Sequence, residues 1–350
     1  MGWANLLGMI GSAVACPDKF RGTLTAAEAA AAMARGLRSA GVESVIELGL
    51  ADGGEGTLDV ILAARGGARR TTTVTGPMGD PVDAEWAILG VGTAIGEMAR
   101  ASGRALVPVD RRDPLSANTR GTGELIAAAI RGGATRVVVG VGGSATTDGG
   151  LAAVQALDWS LGAVPVTVAC DVRTVFLDAA TIFGPQKGAS PAQVGLLTRR
   201  LEQVAGVYSD RLGVDVTTVE GAGAAGGLAG GLAAIGATIE PGFDVVADVV
   251  GLEGVLERAD LVITGEGKLD RTSFDGKVVG GVLELAADLG VAHRAVIAGQ
   301  VTEDARDEIG AMGGVTALAL TDRVWQAGEA FARAALLVEE SAVEIARAAG

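Results

Sequence analysis

Short runs of Val, Ile and Ala recur along the chain, separated by longer stretches in which apolar residues return every three or four positions. A short apolar run suits a buried strand, and the longer period suits a helix packed by one face. Their alternation predicts an α/β protein with a mainly parallel sheet. Strands are expected over Ser12–Cys16, Val45–Leu50, Arg136–Val141, Val166–Cys170, Leu261–Thr264, Arg294–Ala298 and Val315–Leu320. Between the first two, Thr25 and Glu28 form a capping box, an Ala-rich body follows, Arg35 and Arg38 occupy the last turn, and Gly41 ends the helix. A second helix opens at Ser190-Pro191, and Trp325–Ala349 reads as one long closing helix.

One stretch breaks this rhythm. Thr71–Thr75, Asp83–Leu89 and Thr93–Met98 read as consecutive short strands joined by Gly-Pro-rich turns, a meander that marks a change of domain. The 350 residues also exceed one ordinary domain of about 100–200 residues. The pattern therefore predicts two α/β domains. One is Rossmann-like, with a mainly parallel sheet, and discontinuous in sequence (residues 1–70 and 241–350). The other is a mixed α/β domain (71–240).

Composition narrows the function. With 28 Lys and Arg against 42 Asp and Glu, the net charge of −14 repels phosphate backbones, which excludes nucleic acid as an expected partner. Aromatics make up 3% while glycine fills 55 positions, so the core is built from small residues and many backbone-lined turns are expected. Two cysteines, Cys16 and Cys170, and one histidine, His293, cannot assemble a disulfide framework or a Cys/His zinc site, and a reducing cytoplasm fits. His293 stands beside a strand and reads as structural.

Two segments imitate membrane signals. Gly2–Cys16 is apolar and ends Ala-Val-Ala-Cys, but no cation precedes the run, so a buried first strand is the preferred reading. Met9 could serve as the start, leaving residues 1–8 as a leader. Gly221–Ile239 carries no charge over nineteen residues, yet seven are glycine, which favours a packed glycine-rich loop and helix over a membrane span.

Five polar or glycine-rich loops follow strands or open helices, where ligands gather in open α/β sheets. Asp18, Lys19 and Arg21 follow the first strand. Asp52 and Glu55 stand among Gly53, Gly54 and Gly56, an arrangement that could hold Mg²⁺ or cap a plain turn. Residues 112–124 set Ser116, Arg120 and Thr122 at a helix start, suited to an anion or simply to capping. Residues 140–150 set Asp148 among glycines and hydroxyls, a carboxylate that could deprotonate a substrate hydroxyl. Residues 264–277 bring Glu266, Lys268 and Lys277. Two G-x-G-x-x-G/A matches, at Gly140 and Gly221, lack a convincing βαβ context, and no P-loop is present. A nicotinamide-dependent dehydrogenase is thereby disfavoured.

With these loops in view, the sequence resembles the bacterial type I glycerate kinase family. The matching blocks are PDKFRGTLTA (17–26), LADGGEGT (50–57), TGPMGDPV (75–82), RDPLSANTRGTGELI (112–126), GVGGSATTDGG (140–150), VACDV (168–172), FGPQKGAS (183–190), GAGAAGGLAGGL (221–232) and TGEGKLDRTSFDGKV (264–278), in family order across nearly the whole chain. The resemblance implies transfer of a phosphoryl group from ATP, with Mg²⁺, to a hydroxyl of D-glycerate, in a cleft between two domains. The expected product is 2-phosphoglycerate rather than 3-phosphoglycerate. The expected partners are D-glycerate and ATP, with no membrane, a cytoplasmic location, and a homodimer left open.

On this reading Asp148 is the base, joined in the catalytic set by Asp52 and Lys277. Asp52, Glu55 and Asp171 are candidate Mg²⁺ ligands. Asp18, Arg21, Ser116, Arg120, Thr122, Gly142, Gly143, Ser144, Lys187, Gly265, Glu266 and Lys268 are candidate substrate or phosphate contacts. The chain departs from the family at three places. Arg21 stands where Lys is usual, the segment between Leu157 and Val166 is several tens of residues shorter, and Arg173-Thr174-Val175 replaces Asn-Pro-Leu. The last two bear on the acceptor pocket, so a kinase for another small hydroxy acid, or a homologue that binds ligand without catalysis, remains an alternative.

Overall fold

A computed structural model describes residues 10–350; the reading of residues 1–8 as a leader lies outside the described residues. Among these residues eleven strands form: β1 Ser12–Ala15, β2 Ser44–Glu47, β3 Ala68–Thr75, β4 Pro81–Ile88, β5 Thr93–Glu97, β6 Arg136–Gly140, β7 Val166–Ala169, β8 Thr238–Glu240, β9 Leu261–Leu269, β10 His293–Val301 and β11 Val315–Ala319. The chain divides into two compact units. The first takes the residues up to Asp52, then Asp59–Ala64 and Val246–Gly350, and the second takes Gly53–Leu58 and Arg65–Val245.

The first unit carries a five-stranded sheet in the order β11-β10-β9-β1-β2, parallel throughout. The helix Ala26–Ser39 crosses from β1 to β2, and its capping box is formed as expected: Thr25 accepts from the Glu28 amide, and Glu28 accepts from the Thr25 amide at 2.8 Å. Gly41, at φ +95°, turns the chain out of it. A Cβ on Gly36 would lie 2.2 Å from the Glu339 carbonyl. Glycine there lets this helix and the helix Ala334–Ala349 touch backbone to backbone, with Met33, Leu37, Val338 and Ala342 buried around the contact.

Two expectations for this unit are corrected. The strand beginning at Leu261 does not stop at Thr264 but runs to Leu269, so Gly265, Glu266 and Lys268 lie on a strand rather than in a loop. The reason is steric: a Cβ on Gly265 would sit 1.9 Å from the Ile297 carbonyl, and one on Gly299 2.3 Å from the Gly267 carbonyl. Here glycines permit close strand pairing instead of breaking it. The single closing helix is in fact two, Ala327–Ala332 and Ala334–Ala349, because Arg333 leaves helical geometry at φ −113°, ψ 17°.

The second unit carries a six-stranded mixed sheet in the order β3-β4-β5-β6-β7-β8. The expected meander is there, β3, β4 and β5 being antiparallel, and β5 to β8 run parallel. The helix Pro191–Leu212 starts with a Ser190–Gln193 capping box and buries Leu197, Leu201, Val204 and Tyr208. Gly221–Ile239 forms the buried, glycine-rich helix Ala224–Ala234 with its preceding turn. No helix among the described residues is long and apolar enough to cross a membrane. Val216–Thr218 is a single 3₁₀ turn, so the second glycine fingerprint has no strand before it.

Candidate functional site

In the first unit, β1 leads to β2 on one side, and the chain returns as β9 on the other. Such a reversal of strand order is where open parallel sheets bind ligands, outside the carboxyl ends of the strands. β9 pairs with β1 only through Leu261–Ile263, so its last six residues extend past β1. The loop after β1 fills that place: the Asp18 amide donates to the Gly265 carbonyl at 2.8 Å, and the Thr264 hydroxyl to the Cys16 carbonyl at 3.0 Å. Gly267 keeps the approach open, since a Cβ there would lie 2.9 Å from the Arg21 nitrogen. The chain after β2 joins through the Leu50 amide, which donates to the Pro17 carbonyl at 2.8 Å.

These contacts surround a pocket of about 500 Å³ lined by Asp18, Arg21, Asp52, Glu266, Lys268 and Lys277 among others. Burial, reinforced by the Asp52 charge, pushes the Asp18 carboxyl up to about 6, although Lys19 and Arg21 act the other way. Burial likewise pushes Glu266 up to about 7, against a hydrogen bond from Ser273. One Glu266 oxygen, Oε1, is buried without a hydrogen-bond partner. Lys277 Nζ donates to the Thr272 hydroxyl at 3.0 Å, and Lys268 Nζ lies 3.9 Å from Asp270 Oδ2. Among the described residues no group of three or more His, Cys, Asp or Glu side chains is arranged to hold a metal ion. Asp18, Asp52 and the orphaned Glu266 oxygen suit a hard cation that takes one or two carboxylates and completes its shell with phosphates and water.

The second unit presents a closed arrangement. Asp148 is buried, and its Oδ2 accepts from the Thr119 amide at 2.9 Å and the Thr119 hydroxyl at 2.8 Å, while Oδ1 accepts from the Gly150 amide at 3.3 Å. Burial raises its pKa in spite of these bonds. Lys187, 4% exposed, donates to the Thr146 carbonyl at 2.5 Å. Burial brings its ammonium down to about 7, the Asp148 charge opposing and Arg104 assisting. The loop is pressed against the glycine helix: Ala225, Gly226 and Gly227 adopt left-handed backbone, and a Cβ on Gly226 would lie 2.0 Å from the Thr146 carbonyl. Tyr208 supports the other flank, its hydroxyl donating to the Gly149 carbonyl at 2.8 Å.

A family model described as the glycerate kinase family matches residues 13–163 and again 158–350. The chain belongs to the glycerate kinase family. The two matched stretches overlap over residues 158–163, in the turn before β7. Among glycerate kinases, the chain is 42% identical over 329 residues to glycerate 2-kinase of Escherichia coli K12, covering 83% of this chain and 86% of that one. It is 40% identical to a glycerate kinase of Bacillus subtilis 168, covering 83% and 85%. A crystal structure from Salmonella typhimurium LT2 that carries the glycerate kinase 2 assignment superposes with a TM-score of 0.83 at 35% identity, covering 97% of this chain and 98% of that chain.

The residues singled out in this glycerate kinase fall into distinct settings. Asp18, Arg21, Asp52, Glu266, Lys268 and Lys277 line the first unit's pocket, and Gly265 lies in the β9 segment at its edge. In the second unit, Gly142 and Gly143 pack on the residues around Glu55: a Cβ on Gly142 would lie 2.7 Å from Gly54 Cα, and one on Gly143 2.5 Å from Glu55 Oε1. Ser144 bridges to Gly103, and Asp171 is half-buried just beyond β7, beside Cys170. Three residues spend their polar groups locally. Ser116 donates to Asp113 at 2.5 Å, Arg120 pairs with Glu124 at 2.9 Å, and Thr122 donates to Ser102 at 2.9 Å.

Several participants were not singled out from sequence. Thr119 supplies two of the three bonds to Asp148, yet its position just before the helix Arg120–Arg131 reads as an ordinary cap. Ser273 and Asp270 line the pocket beside Glu266, and Phe331 forms part of its apolar side. A phenylalanine in a helical pattern reads as core, so nothing in the sequence marks it.

Proposed function

We propose that this glycerate kinase transfers the terminal phosphoryl group of ATP, with Mg²⁺, to the C2 hydroxyl of D-glycerate, yielding 2-phosphoglycerate and ADP in the cytoplasm. The observation that supports this reading is the first unit's pocket, where carboxylates and cations meet at the strand-order reversal. Phosphoryl transfer asks mainly for positioning and for positive charge against the developing negative charge. Lys268, Lys277 and Arg21 supply that charge. One or two of the carboxylates of Asp18, Asp52 and Glu266 would hold Mg²⁺, which when bound neutralises charge on the phosphate oxygens; Glu55 and Asp171 are the further candidates for this role.

In the reaction the glycerate hydroxyl oxygen forms a bond to the terminal phosphorus, the bond from that phosphorus to the ADP oxygen breaks, and the hydroxyl proton leaves. Asp148 is assigned as its acceptor: burial makes its carboxylate more basic than an exposed one, and Oδ1 retains acceptor capacity beyond its single long bond from Gly150. Lys187, beside it, is the assigned cation for the acceptor's carboxylate.

The test is ADP release by the purified full chain with ATP, Mg²⁺ and D-glycerate, each omitted in turn. Release that requires all three supports the assignment. ATP hydrolysis indifferent to glycerate, or stronger stimulation by glycolate or lactate than by glycerate, contradicts it.

A further inference from the structure

The pocket of the first unit has a second wall that carries no charge. Phe20, Leu320, Ala330 and Ala334 belong to the unit's buried core and also line the pocket. Phe331 joins them, but 62% of its surface is exposed. Its ring lies over the turn after β1, 3.8 Å from where a Cβ on Gly22 would stand. An aromatic face left open on an apolar wall, in a pocket that also holds Arg21, Lys268 and Lys277 among carboxylates, suits a ligand with one flat apolar end and one anionic end that carries a cation. D-Glycerate does not fit that description, because each of its three carbons bears oxygen. A pocket of about 500 Å³ is also far more room than a three-carbon acid fills.

Resting on the phosphotransfer reading, we propose that this pocket is the nucleotide site, with the triphosphate held by Lys268 and Lys277 and the adenine ring packed on Phe331 against Leu320 and Ala330. Binding covers the exposed face of Phe331 and removes the base from water, a gain that needs no hydrogen-bonding partner for the base edge. Phe331 is then a nucleotide-positioning residue that touches no reacting atom.

The experiment compares wild type, Phe331→Ala and Phe331→Trp in the full chain. Dissociation constants are measured by calorimetry for ATP and for inorganic tripolyphosphate, which has the charge but no base, and KM for glycerate is measured alongside. Phe331→Ala is expected to weaken ATP about 5–150-fold, the range for losing one base–aromatic contact. Tripolyphosphate affinity and glycerate KM stay unchanged, and Phe331→Trp restores ATP binding. The inference is overturned if ATP affinity is unmoved, if ATP and tripolyphosphate weaken together, if glycerate KM alone rises, or if wild type binds no ATP. Wild type that binds ATP but transfers no phosphate to glycerate overturns the phosphotransfer reading instead, and the binding constants still decide the place of the base.

Discussion

The two units use the same ingredients, an acid and cations set among glycines, and bring them to opposite physical states. In the first, glycines in β9 and β10 let strands and loop approach until Asp18, Glu266 and Lys277 share the wall of an open pocket. In the second, glycines let two backbones touch until Asp148 and Lys187 are sealed in, each bonded to protein atoms. A perturbed acid facing water can exchange its partner for a ligand. A perturbed acid already satisfied by two residues must keep its geometry to work at all. The sharpest way to break the contrast is therefore at Asp148. Asp148→Asn keeps an acceptor for Thr119 but turns an NH₂ toward the Gly150 amide, and kcat is expected to fall about 10²–10⁴-fold. Kinetics at saturating ATP and glycerate check this, and a loss of only a few-fold removes Asp148 as base.

Glycine substitutions read the same contrast through stability. Gly226→Ala forces a Cβ to 2.0 Å from the Thr146 carbonyl at φ +71° and is expected to cost about 3 kcal/mol. Gly41→Ala in the first unit meets nothing within 4 Å, and at φ +95° only the backbone strain remains, about 1 kcal/mol. Urea midpoints measure both. Equal costs would mean that the second unit is not closed as tightly as its backbone contacts imply.

The pH dependence of stability separates Glu266 from Lys187 by sign. Glu266 titrates higher when folded, about 7 against an ordinary 4.5, so the native state holds the extra proton and stability falls as pH rises between those values. Lys187 titrates lower when folded, about 7 against 10.5, so the unfolded state holds the extra proton and stability rises from pH 7 toward 10.5. Each single group contributes a slope of at most about 1.4 kcal/mol per pH unit. Glu266→Gln should flatten the first limb and Lys187→Met the second, as followed by urea unfolding at stepped pH. The smallest effect belongs to the first helix: Thr25→Ala removes its cap and should cost about 1 kcal/mol.

Much of the fold was legible in sequence because local signals and packing agree. The Thr25–Glu28 and Ser190–Gln193 boxes start their helices, and each apolar run becomes a strand, although β2, β3, β9 and β10 begin or end three or more residues from where the runs do. What escaped depends on what lies opposite. Gly265 and Gly267 look like loop residues until β10 is beside them, and Arg333 carries no breaker signal, yet the closing helix divides there. At the site, the acids and cations announce themselves as charges among glycines. Thr119 and Phe331 do not, because a hydroxyl before a helix and an aromatic within one have commoner uses.

The most direct test of phosphotransfer to glycerate is ³¹P NMR of the product formed from ATP, Mg²⁺ and D-glycerate by the full chain. A new monoester signal split by a single carbon-bound proton is predicted, the pattern of phosphate on C2. A signal split by two carbon-bound protons would place the phosphate on C3. The absence of any new monoester while ATP is bound would contradict the kinase assignment.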